Sequence, residues 1–130
     1  MPVRPRLSIA ESDSSIGGKR RLRHRVMIDG EFVFGPGKAD LLVEIEKTGS
    51  LAAAARNIGM SYMRAWKLVK SMQEMFAGPV VEMRRGGKTQ GATLTATGLK
   101  ALALYQQMEC EALAATEKTW RKFNRLVSRG

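Results

Sequence analysis

The chain has 130 residues, 22 of them basic and 12 acidic, for a formal charge of +10. That balance directs it to a polyanion, either nucleic acid or an acidic membrane face. The single cysteine, Cys110, excludes an internal disulfide and fits a reducing, cytoplasmic compartment. With His24 as the one histidine, a zinc site would rest almost wholly on carboxylates, and no metal or cofactor is expected. The most apolar stretch, Leu51 to Ala55, is far too short to span a bilayer, and no secretory h-region follows the N-terminus. A core of Leu, Ile, Val, Ala and Met is expected, because aromatics make up only 6% of the chain.

Residues 1–22 read as a disordered basic tail: Pro2, Pro5, a polar run from Glu11 to Ser15, Gly17-Gly18, then Lys19-Arg20-Arg21. Next, Val26-Met27-Ile28 and Phe32-Val33-Phe34 flank Asp29-Gly30-Glu31, which predicts a tight hairpin. Gly35-Pro36-Gly37 breaks the strand. A helix is predicted from about Lys38 to Lys47, with Ala39, Leu42, Val43 and Ile45 inward and Thr48-Gly49 as its stop. Ser50 caps a helix over Leu51 to Ile58. Gly59 ends that helix, and Ser61 caps another over Tyr62 to about Phe76. Pro79 closes the segment. Val80 to Arg84 and Ala92-Thr93-Leu94 then read as strands around the basic turn Arg85 to Gly91. Thr95 or Thr97 caps a long helix reaching about Leu126.

Leu51 to Met72 carries the sharpest signal. Two helices crossing over a short turn need a small residue in the first, here Ala55, and a residue tolerant of positive φ in the turn, here Gly59. Ile58 and Met60 flank the turn, and Ala65, Leu68, Val69 and Met72 give the second helix its inward stripe. Ser61, Tyr62, Arg64, Lys67 and Lys70 fall on the other face or at the helix start, where backbone N–H groups and cations can meet phosphate or guanine edges. An ordinary helical corner with a solvated charged face is the alternative. Trp66 is ambiguous: it suits either the domain surface near DNA or, as the preferred reading, support of the corner. In the strand–turn–strand that follows, Arg84, Arg85, Lys88, Thr89 and Gln90 would lie along a phosphate backbone or minor groove as a wing. Gly87-Lys88-Thr89 fails as a nucleotide loop, because position 82 is Glu and a strand follows rather than a helix.

The last helix carries two apolar stripes. Leu99, Leu102, Cys110 and Leu113 form one; Ala101, Tyr105, Met108, Ala112 and Ala115 form the other. A small monomer covers one, so the second predicts a partner chain. The dimer contacts are expected at Leu99, Leu102, Tyr105, Met108 and Leu113, against the alternative of a helix folded back in two pieces. The fold is thus read as mainly α: a helix-turn-helix with a small antiparallel wing over 23–97, preceded by a hairpin, and a dimerisation helix over 98–130.

Thr48-Gly49-Ser50-Leu51 with Ala52 to Ala55, then Gly59-Met60-Ser61-Tyr62, Ala65-Trp66 and Gly86-Gly87-Lys88, resemble the N-terminal domain of the ModE family of molybdate-responsive transcription regulators. The first half also looks like the LysR-type winged helix. The resemblance spans about residues 38–110. It implies a dimeric winged helix with its second helix in the major groove, Ser61, Tyr62, Ala65 and Trp66 in that helix and Gly86 to Lys88 in the wing. Thr89-Gln90 departs from the glycines usual in the family's wing. The family's molybdate-binding domains follow its DNA-binding half. They are not expected within these 130 residues, so molybdate is not expected as a ligand.

The sequence therefore predicts a sequence-specific regulator binding double-stranded DNA as a homodimer, without an effector domain of its own. The alternative is a winged-helix module acting on another regulator through its long helix. General DNA compaction would show no sequence discrimination. No nucleophile with a base, carboxylate pair or metal cluster can be named, so no enzyme is expected.

Overall fold

The computed structural model describes residues 19–84 and 91–128. The first elements form a hairpin, β1 (Val26–Ile28) against β2 (Glu31–Phe34), pairing Met27 with Phe32 and Ile28 with Glu31. Asp29 and Gly30 both take positive φ, 51° and 81°, which gives the two-residue turn that matches the twist of the strands. Helix α1 (Pro36–Thr48) starts two residues before the predicted Lys38. Pro36 occupies the first turn, where its missing N–H costs nothing and its fixed φ is already helical, so the proline opens the helix as well as ending the strand.

The capping residues act as read. Ser50 Oγ accepts from the Ala53 N–H and opens α2 (Leu51–Asn57); Ser61 Oγ accepts from the Arg64 N–H and opens α3 (Tyr62–Met75). Strands β3 (Val81–Arg84) and β4 (Gly91–Leu94) pair antiparallel, Val81 with Leu94 and Arg84 with Gly91. Thr95, rather than Thr97, caps α4 (Ala96–Ala115).

The core joins these elements through Phe34, Leu41, Leu42, Ile45, Leu51, Ala54, Ala55, Ala65, Val69, Met72, Val80, Val81, Ala92 and Leu102. Val43, assigned to the core in sequence, is only partly buried, and Leu41 takes the buried place. Three polar clamps fix relative positions. The Ala92 N–H donates to Gly49 O at 2.9 Å, which ties β4 to the turn between α1 and α2. The Gln73 amide accepts from the Val80 N–H at 3.0 Å and donates to Val81 O at 3.3 Å, so the end of α3 sets the start of β3. Lys38 is buried. Its Nζ donates to Val33 O at 2.9 Å and Ser71 Oγ at 3.2 Å and lies over the Phe32 ring, and burial lowers its pKa.

The long C-terminal helix is not continuous. α4 ends at Ala115, and α5 (Glu117–Asn124) begins after Thr116, whose Oγ1 donates back to Ala112 O at 2.6 Å. Arg20 holds this break, donating to Thr116 Oγ1 at 2.9 Å and Leu113 O at 2.8 Å with its guanidinium over the Trp120 ring. Residues 20–22, which the sequence places in the tail, are therefore bound along α4; the tail's residues 1–18 lie outside the described residues.

The face of α4 that the chain covers runs through Gly98, Leu102, Tyr105, Gln106 and Glu109. This corrects the dimer assignment at two positions. Leu102 and Tyr105 are buried in the chain's own core, with the Tyr105 hydroxyl donating to His24 O at 2.7 Å and its ring stacked on His24 and edge-on to Phe34. Leu99 and Leu113 are half-buried, while Met108 is exposed together with Leu104.

Glu109 is 4% exposed and receives Arg21 through Nε at 2.7 Å and an η nitrogen at 3.0 Å, and the Leu22 N–H at 3.1 Å. Burial by itself would raise its pKa. The hydrogen bonds from Arg21 and Leu22, with the charges of Arg21 and Arg23, outweigh burial and hold the carboxyl below its ordinary value of 4.5. The folded value lies below the unfolded one, so the pair stabilises the fold above the ordinary value and ceases to as pH falls through the lower one. Glu109→Gln is expected to cost about 1–2 kcal/mol at neutral pH, less than a wholly buried pair because the Arg21 side chain is 39% exposed. The variant's stability should also fall less steeply on acidification. Urea titrations at several pH values measure both, and parallel acid limbs would show that Glu109 is not the titrating group.

Candidate nucleic-acid interface

The turn between α2 and α3 is made by local hydrogen bonds: Ile58 N–H and Met60 N–H to Ala55 O at 3.2 and 2.9 Å, and Gly59 N–H to Arg56 O at 3.2 Å. Gly59 takes φ 69°, which a side chain would strain. Ala54, Ala55 and Ala65 are buried, and their small side chains let the two helices cross closely. The inward stripe of α3 is Ala65, Val69 and Met72, with Leu68 partly buried beside it.

Helical geometry then sets the outward face, because residues three and four apart share a side. Met63, Lys67, Lys70 and Glu74 run down its middle, with Tyr62 and Trp66 on one flank and Arg64 on the other, all exposed. Among the described residues the ion pairs join Arg20 and Arg121 to Glu117, Arg21 to Glu109, Arg23 to Asp40 and Lys47 to Glu44. None of them takes a cation of α3. Lys70 instead lies 5.4 Å from the Trp66 ring centroid. Arg64, Lys67 and Lys70 thus present positive charge outward, paired with no carboxylate among the described residues.

Ser61 is at the start of α3, where its hydroxyl oxygen accepts from the Arg64 N–H and its O–H can still donate to a phosphate oxygen. Arg84 is exposed at the end of β3, beside Gly91. Arg85, Gly86, Gly87, Lys88, Thr89 and Gln90 lie outside the described residues. The strands on either side of them pair as the sequence predicts for a wing, and the Gln73 clamp ties that wing to α3.

Of the two places open to Trp66, the structure shows the surface rather than the preferred support of the corner. The side chain stands 41% exposed on the flank of α3, not under the corner. Sequence reasoning also passed over Met63, although its spacing from Lys67 and Lys70 puts it on the outward face. No group of three or more His, Cys, Asp or Glu that could hold a metal occurs among the described residues, and no helix there is long and apolar enough to cross a membrane.

Residues 38–99 match the family described as bacterial regulatory helix-turn-helix protein, lysR family. Among curated relatives, the molybdenum-pterin-binding protein MopB of Rhodobacter capsulatus is 42% identical over 89 residues, covering 65% of this chain and 33% of its own length. The transcriptional regulator ModE of Haemophilus influenzae is 37% identical over 75 residues, 57% of this chain and 29% of its own. The DNA-binding transcriptional dual regulator ModE of Escherichia coli is 35% identical over 71 residues, 54% of this chain and 27% of its own. The chain carries a ModE-type helix-turn-helix domain.

The chain spans about a third of the length of these relatives. Its ModE-type domain is a mainly α winged helix, in which α2 and α3 form the helix-turn-helix and β3–β4 the wing. The ModE-like run Ser61-Tyr62, Ala65-Trp66 divides by role. Ser61 caps, Ala65 is buried at the crossing, and Tyr62 and Trp66 share one exposed flank.

Proposed function

We propose that this chain is a transcription regulator that binds double-stranded DNA sequence-specifically, with α3 in the major groove and the wing along the backbone. The observation that carries this reading is the outward face of α3, where Arg64, Lys67 and Lys70 stand exposed, without an ion pair among the described residues, on the second helix of a helix-turn-helix. A helix presented this way fits the major groove, and Arg and Lys reach guanine edges there. Ser61 and Tyr62 at the helix start, Arg84 on β3, and Arg85, Lys88, Thr89 and Gln90 in the wing are assigned to the backbone. The names of the ModE relatives support the regulatory role. Nothing about molybdenum passes from those names to these residues, because the alignments cover only about a third of each relative. Selection of bound duplexes from a random library tests the proposal: a defined motif should emerge and bind orders of magnitude more tightly than random DNA. Enrichment of no motif would sink it.

The regulator acts as a homodimer. Exposed Leu104 and Met108 on α4, and Phe123, Leu126 and Val127 at and beyond the end of α5, leave apolar surface that the described residues do not cover. With Leu102 and Tyr105 committed to the core, the seam is assigned to Met108 and Leu104, with Leu99 and Leu113 at its edge. The variant Leu104→Asp with Met108→Asp should run as a folded monomer in light scattering and lose most operator affinity, since two half-sites must be met together. A wild-type chain that is monomeric at high concentration overturns the assignment.

A further inference from the structure

Three large apolar side chains are exposed in the first half of the helix that carries the cations, Tyr62 at 48%, Met63 at 58% and Trp66 at 41%, with Met75 at 39% at its far end. Tyr62 and Trp66 have polar or cationic company, since a phenol and an indole carry polar groups and Lys70 lies over the Trp66 ring. Met63 has none. It lies outside the core cluster, one turn before Lys67 and two before Lys70, in the middle of the outward face.

An apolar chain among cations fits a surface that is anionic at its rim and apolar at a defined point within. The major groove of DNA is such a surface. Phosphates line its edges, and the one apolar group on its floor is the 5-methyl of thymine. Methionine is unbranched and polarizable, so it can reach the floor and adapt to the base step it meets. We propose that Met63 reads a thymine methyl group in each half-site, while the neighbouring cations of α3 reach the guanine edges and phosphates around it. This rests on α3 lying in the major groove.

The test separates the two. From the selected motif, each thymine is replaced in turn by deoxyuridine, which pairs identically and lacks only the methyl group, and affinity is measured by fluorescence anisotropy. Wild type should lose about fourfold at one thymine per half-site, the value of one buried carbon. Met63→Ala should bind the unmodified site more weakly and lose less than about twofold on the same replacement. Lys67→Ala, weaker overall, should keep the full methyl effect. Met63 is exposed, so its substitution leaves the fold intact, and circular dichroism checks this. If the methyl effect survives in Met63→Ala, or no thymine in the motif is sensitive, the Met63 assignment is overturned while DNA recognition by α3 stands. A chain that selects no motif overturns both.

Discussion

Gly98→Ala is expected to lose about 3 kcal/mol or more of stability, although alanine is the better helix former by about 1 kcal/mol. Gly98 lies in the first turn of α4 and is buried. A Cβ there would fall far inside van der Waals contact of the Val80 carbonyl oxygen, and 3.0 and 3.3 Å from the Val80 carbonyl carbon and Cα. Val80 cannot retreat. It is fully buried, its N–H is held by Gln73, and its carbonyl accepts the Thr95 N–H at 3.0 Å. The helix must move off the strand or the clamp between α3 and β3 must open. Thermal melting followed by circular dichroism should show a large drop for Gly98→Ala. Thr97→Ala, one residue earlier and exposed, should stay within about 0.5 kcal/mol of wild type. Equal melting points for the two variants would mean that α4 packs otherwise than described.

Arg64→Ala combined with Lys67→Ala is expected to lower affinity for the selected motif on the order of 100-fold or more. A good base contact is worth about 1–3 kcal/mol, and two are removed. Both side chains are exposed and lack ion pairs among the described residues, so the fold should be unaffected. The loss on random DNA should be much smaller, because phosphate contacts elsewhere remain. Equal losses on motif and random DNA would reduce both residues to phosphate contacts and remove them from base reading.

What could be read in advance was local. The Asp29-Gly30 turn, the Ser50 and Ser61 caps, the Gly59 break and the pairing of the strands around the wing depend on residues within a few positions of one another. Backbone preference and side-chain hydrogen bonds at that range leave a residue-type signature. The inward and outward faces of α3 follow from helical periodicity in the same way, and Met63 was within reach of that reasoning. Pro36 shows where a local signal has two uses: the residue that ends a strand is also the one that best opens a helix.

The remainder depends on partners distant in the chain. Lys38 is a charged residue whose burial is made tolerable by Val33 O and by Ser71, 33 positions away. The break at Thr116 involves no glycine or proline. It is held by Arg20, 96 positions earlier, taking the Thr116 hydroxyl and a freed carbonyl. Periodicity showed two apolar stripes on the last helix but could not say which one the chain would cover. Leu102 and Tyr105 became core because they join the cluster that includes Phe34 of the hairpin, with His24 stacked on Tyr105. Sequence by itself determined the helix-turn-helix, its wing and its basic outward face, since each follows from neighbours in the chain. Tertiary structure decided which surfaces remain free, where the last helix breaks, and that Gly98 must be glycine, because burial and steric contact are set by what packs from afar.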